Sequence, residues 1–375
     1  MNVKTGFSMN ANIDASLDEA CKDFGTDPIE LIIFFSDSNF FASYTEKLHM
    51  RYPNSTIIGS STFGSFSSAG FCRGGINVAA LTDGIHVHAD VIHEITRGIT
   101  PLYERRIYSA LQHLGLDQCN HTNTCCLVFN PAGTSCEELV LDMLMKVMRN
   151  VNIPVVGGSA SSEICLAGEI SLNGVTYANS SIYALVHLDD GKIGITLENV
   201  FKPMGKEYRA TKADATSRTL YELDGQSASE VLCKDLGITH NQLAQTLAAH
   251  PFGRIPKGQL YINEVERVND DGSITTYCRI LNGSKVVLLE IADLEETMKK
   301  TWKTFHENNE QPKFSLIVNC YSRTQLYLKN EWMDTFTQEM NKEVGPYIGY
   351  TTHGEVLDDF LLNLSLIVIT FGDRS

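Results

Sequence analysis

Three stretches of this chain carry one pattern, and that repetition constrains the fold more than any single motif. Each opens on an apolar run and passes through a connecting segment of helical character. Each then reaches two apolar residues, a glycine and small, mostly hydroxyl-bearing residues, and closes on a second apolar run. In the first stretch these are Leu31–Phe35, Ile57-Ile58-Gly59-Ser60-Ser61-Thr62 and Ile76–Leu81. In the second they are Cys125–Phe129, Val155-Val156-Gly157-Gly158-Ser159-Ala160 and Ser181–His187. In the third they are Phe314–Val318, Tyr347-Ile348-Gly349-Tyr350-Thr351-Thr352 and Leu364–Thr370.

Pro154 and Pro346 stand three residues before their glycines. A proline ends the helix before it and starts an extended entry to the next strand. The glycine then permits a bend or a close backbone approach. The hydroxyls that follow sit at a strand end, where ligands bind in α/β folds. Any one copy reads first as a structural turn; three copies predict one architecture built three times.

The connecting helices are legible. Ser135 and Glu138 form a capping box ahead of an apolar face of Leu139, Val140, Met143, Leu144 and Val147. Ser227 and Glu230 form another, with Gly237 as the stop. Asp293 caps a helix striped by Leu294, Met298, Trp302 and Phe305, and Leu328, Trp332, Phe336 and Met340 make a further stripe. Turn signals stand between apolar runs at Asp83-Gly84, Asn173-Gly174, Asp190-Gly191, Asp270-Asp271-Gly272 and Asn282-Gly283. The expected fold class is α/β: mixed, largely antiparallel sheets layered with helices, built from repeated strand-helix-strand units. A boundary is expected near Glu198–Gly205, where short-strand patterning begins.

Composition narrows the function. A net charge of −15 argues against a phosphate-backbone partner. The first residues lack the apolar core of a signal peptide. No apolar stretch nears the ~18–20 residues of a membrane helix; Phe360–Phe371 is interrupted by Asn363 and Ser365 and reads as a core strand. Ten cysteines without a C-x-x-C pair suit reduced, buried thiols, so no membrane insertion and a cytoplasmic location are expected.

In order along the chain, these motifs resemble the FIST family. They are the turn Gly59-Ser60-Ser61-Thr62-Phe63-Gly64, the turn at Gly157–Ala160, Asn173-Gly174, Leu223-Asp224-Gly225 before a capped helix, and His250-Pro251-Phe252-Gly253. Cys320-Tyr321-Ser322-Arg323, the ending Gly349-Tyr350-Thr351-Thr352-His353-Gly354-Glu355, and Asn363 complete the set. The resemblance implies a FIST N-type domain over 1–198 and a FIST C-type sensory domain over 199–375. It implies a signal-transduction role with a small ligand such as an amino acid. A stand-alone subgroup, NosP, binds haem, senses nitric oxide and regulates a partner histidine kinase or a cyclic-di-GMP enzyme (diguanylate cyclase or phosphodiesterase). No output segment is recognised within the sequence, so the expected signal leaves through another polypeptide; a homodimer is left open.

The candidate residues follow. Haem needs an axial ligand and an apolar pocket. His250 is the expected haem-iron ligand, with Phe252 against the porphyrin, Arg254 toward a propionate, and His353 as an alternative ligand or distal contact. For a carboxylate ligand without haem, Arg323 is the expected clamp, with Tyr350, Glu355, Gly349, Ser61 and Thr62 lining the site. His86, His88 and Asp90 alternate on one strand face, which zinc could use but which reads first as a solvated face. Cys119, His121, Cys125 and Cys126 lack zinc spacing. There is no G-x-S-x-G elbow, Walker loop, H-E-x-x-H or Rossmann glycine motif. An N-terminal-nucleophile hydrolase on this scaffold lacks any marked cleavage site, so a sensor rather than an enzyme is expected.

Overall fold

The computed structural model describes residues 1–117, 122–163, 168–309 and 311–373. The chain forms two compact units. The larger comprises Met1–Leu197, Thr301–Asp359 and Leu366–Ser375, and the smaller Glu198–Lys300 and Phe360–Ser365.

In the larger unit the three repeats give three sheets of one topology. Leu31–Ser36, Thr124–Asn130 and Phe314–Cys320 are the central strands, buried along their whole length. Continuous apolar runs such as LIIFF fit strands covered on both faces. Beside each central strand lies a parallel partner: Thr56–Ser61, Val155–Ser159 or Tyr347–Thr352. On the other side lies an antiparallel one: Ile76–Thr82, Ser180–Leu188 or Ser365–Asp373. Asn2–Ser8, Ile85–His93 and Lys192–Asn199 take the outer place in the three sheets.

The repeat glycines are explained by the parallel pairing. Gly59, Gly157 and Gly349 face Phe34, Val128 and Ile317 across it. A Cβ on Gly157 would lie 2.0 Å from the Val128 carbonyl oxygen, and one on Gly349 2.4 Å from the Ile317 Cβ.

After each glycine turn the chain makes a short strand that joins a different repeat's sheet. Ser65–Ser67 of the first repeat pairs with Tyr347–Thr352 of the third. Ile170–Leu172 of the second pairs with Thr56–Ser61 of the first. Glu355–Leu357 of the third pairs with Val155–Ser159 of the second. The exchange closes a cycle, and each sheet edge beside a glycine turn is covered by another repeat.

Several local expectations change. Ser135 has φ 53°, so the helix Glu137–Val151 starts from Cys136 without a side-chain cap. Val140, Met143, Leu144 and Val147 are buried but Leu139 is exposed. The stripe through Leu328 and Met340 is split into Tyr321–Lys329 and Met333–Glu343, because Glu331 has φ 59°, outside helical space; Leu328 is exposed. Ser227 stands at its expected N-cap position but bonds no helix amide, while Gly237 ends that helix with φ 68°. Asp293 Oδ1 does accept from Glu296 N at 2.8 Å. The apolar run at Phe360–Phe371 is two strands, Phe360–Leu362 and Ser365–Asp373, parted where Leu364 takes φ 54°.

The smaller unit is an antiparallel sheet in the order Tyr261–Asn263, Phe252–Arg254, Lys285–Ile291, Phe201–Asp214, Thr219–Leu223, Ile274–Thr276 and Val265–Val268. The helices Ala228–Leu236 and His240–Ala249 contribute Val231, Leu232, Leu243 and Leu247 to its core, with Phe252 and Leu288. Among the described residues no helix is long and apolar enough to cross a membrane.

Candidate functional site

The three glycine turns meet in the larger unit, and their hydroxyls bind the repeats to one another. Ser61 Oγ donates to Ser161 O at 3.2 Å and accepts from Glu169 N at 2.9 Å. Thr62 Oγ1 donates to Gly64 O at 2.7 Å and accepts from Thr351 N at 2.9 Å. Ser161 Oγ accepts from Phe63 N and donates to Thr351 O. Ser61 and Thr62, expected to line a ligand site, are thus buried with their hydroxyls bonded to backbone.

Equivalent positions separate what is structural from what is left over. Two residues after the repeat glycine stand Ser61, Ser159 and Thr351. The hydroxyls of Ser61 and Thr351 bond backbone carbonyls. Ser159 Oγ, equally buried, has no partner among the described residues. One residue after the glycine stand Ser60, Gly158 and Tyr350. The Tyr350 ring stacks on Phe35 with centroids 4.2 Å apart and planes 6° from parallel, and leans on Phe129 at 6.0 Å. Its hydroxyl is buried without a partner among the described residues. Burial, and then the Glu355 carboxylate, push its pKa up, so it stays a phenol.

Four residues after the glycine stand Phe63, Ser161 and His353. The His353 ring stacks on Tyr321 at 4.8 Å, and its backbone N–H donates to Ser159 O at 3.1 Å. Nε2 is buried without a partner among the described residues, and burial lowers the imidazole pKa to about 4. His353 is therefore neutral near neutral pH. The second and third turns are joined by that bond and by Ser159 N to Gly354 O at 3.0 Å. Among the described residues, three buried polar side-chain atoms of these two turns, Ser159 Oγ, Tyr350 OH and His353 Nε2, have no partner.

Arg323 lies in the first turn of the helix that follows the third central strand directly, and it is fully buried. Nη1 donates to Asn319 Oδ1 and Nη2 to Tyr327 OH, each at 2.7 Å. The guanidinium lies 4.1 Å from the Tyr327 ring centroid and 4.6 Å from that of Phe336. It is a cation built into the core, held by hydrogen bonds and two aromatic rings. Glu355, also fully buried, accepts from Thr352 Oγ1 at 2.6 Å. Gly349 serves the close strand approach described above.

The other group expected to bind a cofactor lies in the smaller unit. His250 ends the helix His240–Ala249, with Nδ1 2.9 Å from Leu289 O. A carbonyl at Nδ1 fixes the tautomer and leaves Nε2 as the nitrogen with a lone pair, the usual second contact of a metal-binding histidine. Phe252 is enclosed in the core and presents no ring face to a porphyrin. Arg254 donates from Nε to Asn263 Oδ1 at 2.7 Å and lies 5.3 Å from the Phe360 ring centroid. It lines a groove of about 380 Å³ whose wall includes neither His250 nor Phe252. These three residues therefore do not make a haem cradle by themselves.

His86, His88 and Asp90 lie on the outer strand Ile85–His93. His86 Nε2 is 2.8 Å from Asp189 Oδ1, and Asp90 accepts from Arg106 at 2.6 Å. Burial pulls the His88 pKa down. Among the described residues no group of three or more His, Cys, Asp or Glu could hold a metal ion. Cys125 and Cys126 are fully buried, and desolvation raises both thiol pKa values, that of Cys126 to about 12. Cys119 and His121 lie outside the described residues.

Two family models match this chain: FIST N domain over residues 30–226 and FIST C domain over 228–358. The chain belongs to the FIST family. FIST domains are sensory domains that take small ligands in signal transduction, and they are not typically enzymes. No curated protein matched the chain. Within the FIST fold seen here, Ser159 was the residue that motif reading passed over. Its signal was in the sequence, as the second-repeat counterpart of Ser61 and Thr351.

Proposed function

We propose that this FIST protein senses a small polar ligand, an amino acid or similar carboxylate, where its second and third glycine turns meet. The observation that carries the reading is the set of buried atoms Ser159 Oγ, Tyr350 OH and His353 Nε2, which have no partner among the described residues. Buried polar groups are nearly always bonded, and leaving one unbonded costs about 1–3 kcal/mol. A ligand supplying those bonds would recover that cost. Neutral His353 offers a donor or acceptor to such a ligand. The bound state is then read by a partner polypeptide, a histidine kinase or a cyclic-di-GMP enzyme in the outputs implied by the resemblance.

The test is a thermal-shift screen of amino acids and small carboxylates against the full chain, repeated on Tyr350→Phe and Ser159→Ala. Saturable stabilisation that weakens at least tenfold in both variants is the expected result. No stabilisation by any compound, or undiminished stabilisation in both variants, sinks the reading.

Haem-based sensing of nitric oxide is the second reading, favoured by the lock of His250 Nδ1 on the Leu289 carbonyl. Because Phe252 is enclosed, other residues would have to face the porphyrin. A Soret band after reconstitution that shifts in His250→Ala supports it; absence of the band removes it.

A further inference from the structure

We infer that Asn130 decides which end of the ligand the second glycine turn receives: its side-chain amide, beside Ser159, takes an acceptor oxygen of a carboxylate or carboxamide. The inference rests on the sensing reading above and adds a specificity-determining residue to it. In each sheet of the larger unit the central strand and its parallel neighbour set two polar side chains side by side. These are Ser36 with Ser61, Asn130 with Ser159, and Asn319 with Thr351. Register partners on parallel strands project from the same face of a sheet. All six side chains are buried.

Two of the three pairs are engaged by the protein. Ser36 Oγ donates to Asp37 O at 3.3 Å, and Ser61 Oγ to Ser161 O at 3.2 Å. Asn319 Nδ2 donates to Thr324 Oγ1 and its Oδ1 accepts from Arg323, each at 2.7 Å. Thr351 Oγ1 donates to Gly64 O at 2.8 Å. The second pair differs. Asn130 Oδ1 accepts from Ser181 Oγ at 2.7 Å, but Asn130 Nδ2 and Ser159 Oγ have no partner among the described residues. Ser181 belongs to the strand on one side of Asn130, and Ser159 to the strand on the other. The bond to Ser181 therefore leaves the amide nitrogen for the Ser159 side. The backbone holds both residues in place: Ala160 N donates to Asn130 O at 2.8 Å, and Ser159 N to Gly354 O at 3.0 Å.

Asn130 and Ser159 are the last residues of their strands, and ligands of α/β sheets lie beyond such strand ends. The loop that leaves Asn130 holds a further buried atom without a partner among the described residues, Thr134 Oγ1, between the exposed residues Gly133 and Ser135. An amide nitrogen can only donate, and a serine or threonine hydroxyl can donate as well. The group that completes these bonds must bring acceptor oxygens. A carboxylate or a carboxamide has them; an ammonium has none.

The probes are acetate, acetamide and ethylammonium, each titrated into the full chain at pH 7 and constant ionic strength, with thermal stability as the readout. Acetate and acetamide should stabilise saturably and ethylammonium should not, a comparison that needs no variant to fold. Asn130→Asp keeps the shape and the acceptor for Ser181 but removes the donor, and should weaken acetate at least tenfold. Ser36→Ala, at the equivalent place in the first sheet, should bind acetate like the parent. The inference is overturned if neither acetate nor acetamide acts saturably, which would leave these atoms to a buried water, if ethylammonium binds as well as they do, or if Asn130→Asp binds acetate like the parent. An amino acid that is weakened by Ser159→Ala and Tyr350→Phe but not by Asn130→Asp would sink this inference alone and leave the glycine-turn site standing.

Discussion

Replacing Tyr350 by Phe removes one oxygen and keeps the ring on which Phe35 stacks. The ring-to-ring contact, at 4.2 Å and nearly parallel, belongs to both side chains and is worth about 0.5–1.5 kcal/mol beyond area burial. The hydroxyl is buried without a partner among the described residues, and an unbonded buried hydroxyl costs about 1–3 kcal/mol. Removing it leaves a void of one atom, which returns part of that gain. Tyr350→Phe should therefore stabilise the ligand-free protein by roughly 1 kcal/mol, raising the melting temperature by about 1–2 °C. Urea unfolding followed by far-UV circular dichroism, with a thermal scan beside it, measures this. The same variant should lose its response to the ligand, so stability and sensing move in opposite directions. A variant destabilised by 1 kcal/mol or more would show that the hydroxyl is bonded in the folded chain, and the argument from unsatisfied atoms would fail with it.

The remaining predictions concern the same unit. His353 titrates at about 4 when folded, against an ordinary value of 6.5. Between those values the unfolded chain binds more protons, so stability falls as pH drops from 6.5 toward 4, by up to roughly 3 kcal/mol. His353→Gln should flatten that slope in urea unfolding at pH 7 and pH 5, and an unchanged slope would place the titration elsewhere. Gly349→Ala puts a Cβ 2.4 Å from Ile317 Cβ and 2.8 Å from its carbonyl oxygen, between fully buried strands, and should cost at least about 2 kcal/mol by the same unfolding assay. Arg323→Lys keeps the charge but cannot hold Asn319 and Tyr327 with one planar fork; a loss of about 2–4 kcal/mol is expected. Native Cys125 and Cys126 should resist a thiol reagent until the protein is denatured, because both are enclosed and hard to ionise.

Much of the fold was written in period and punctuation. Continuous apolar runs such as LIIFF and CCLVF gave the central strands, and Pro154 and Pro346 marked the entry to the parallel ones. The exchange of strands was not legible, because Ser65–Ser67, Ile170–Leu172 and Glu355–Leu357 are too short to carry a pattern and pair with residues far along the chain. Nor was the break at Glu331, where a left-handed residue splits an unbroken i+4 stripe. For the site, residue type pointed to Arg323, Ser61 and Thr62, yet type does not say whether a donor is already engaged. Only the bonds show that Ser61 and Thr62 are used between repeats while Ser159, Tyr350 and His353 keep unsatisfied atoms.

The cyclic exchange of strands has a consequence for how such a chain is born. A ribosome releases the first repeat long before the strand that Ser65–Ser67 must join, and the bonded pair Thr62 and Thr351 is 289 residues apart. Until the third glycine turn has emerged, the second sheet also lacks Glu355–Leu357 along its edge. Unpaired edges of that kind recruit other chains, and contacts so distant in sequence form slowly. The nascent protein should lean on chaperones until its last repeat is out, and losing residues after 346 should harm the first repeat as much as the third.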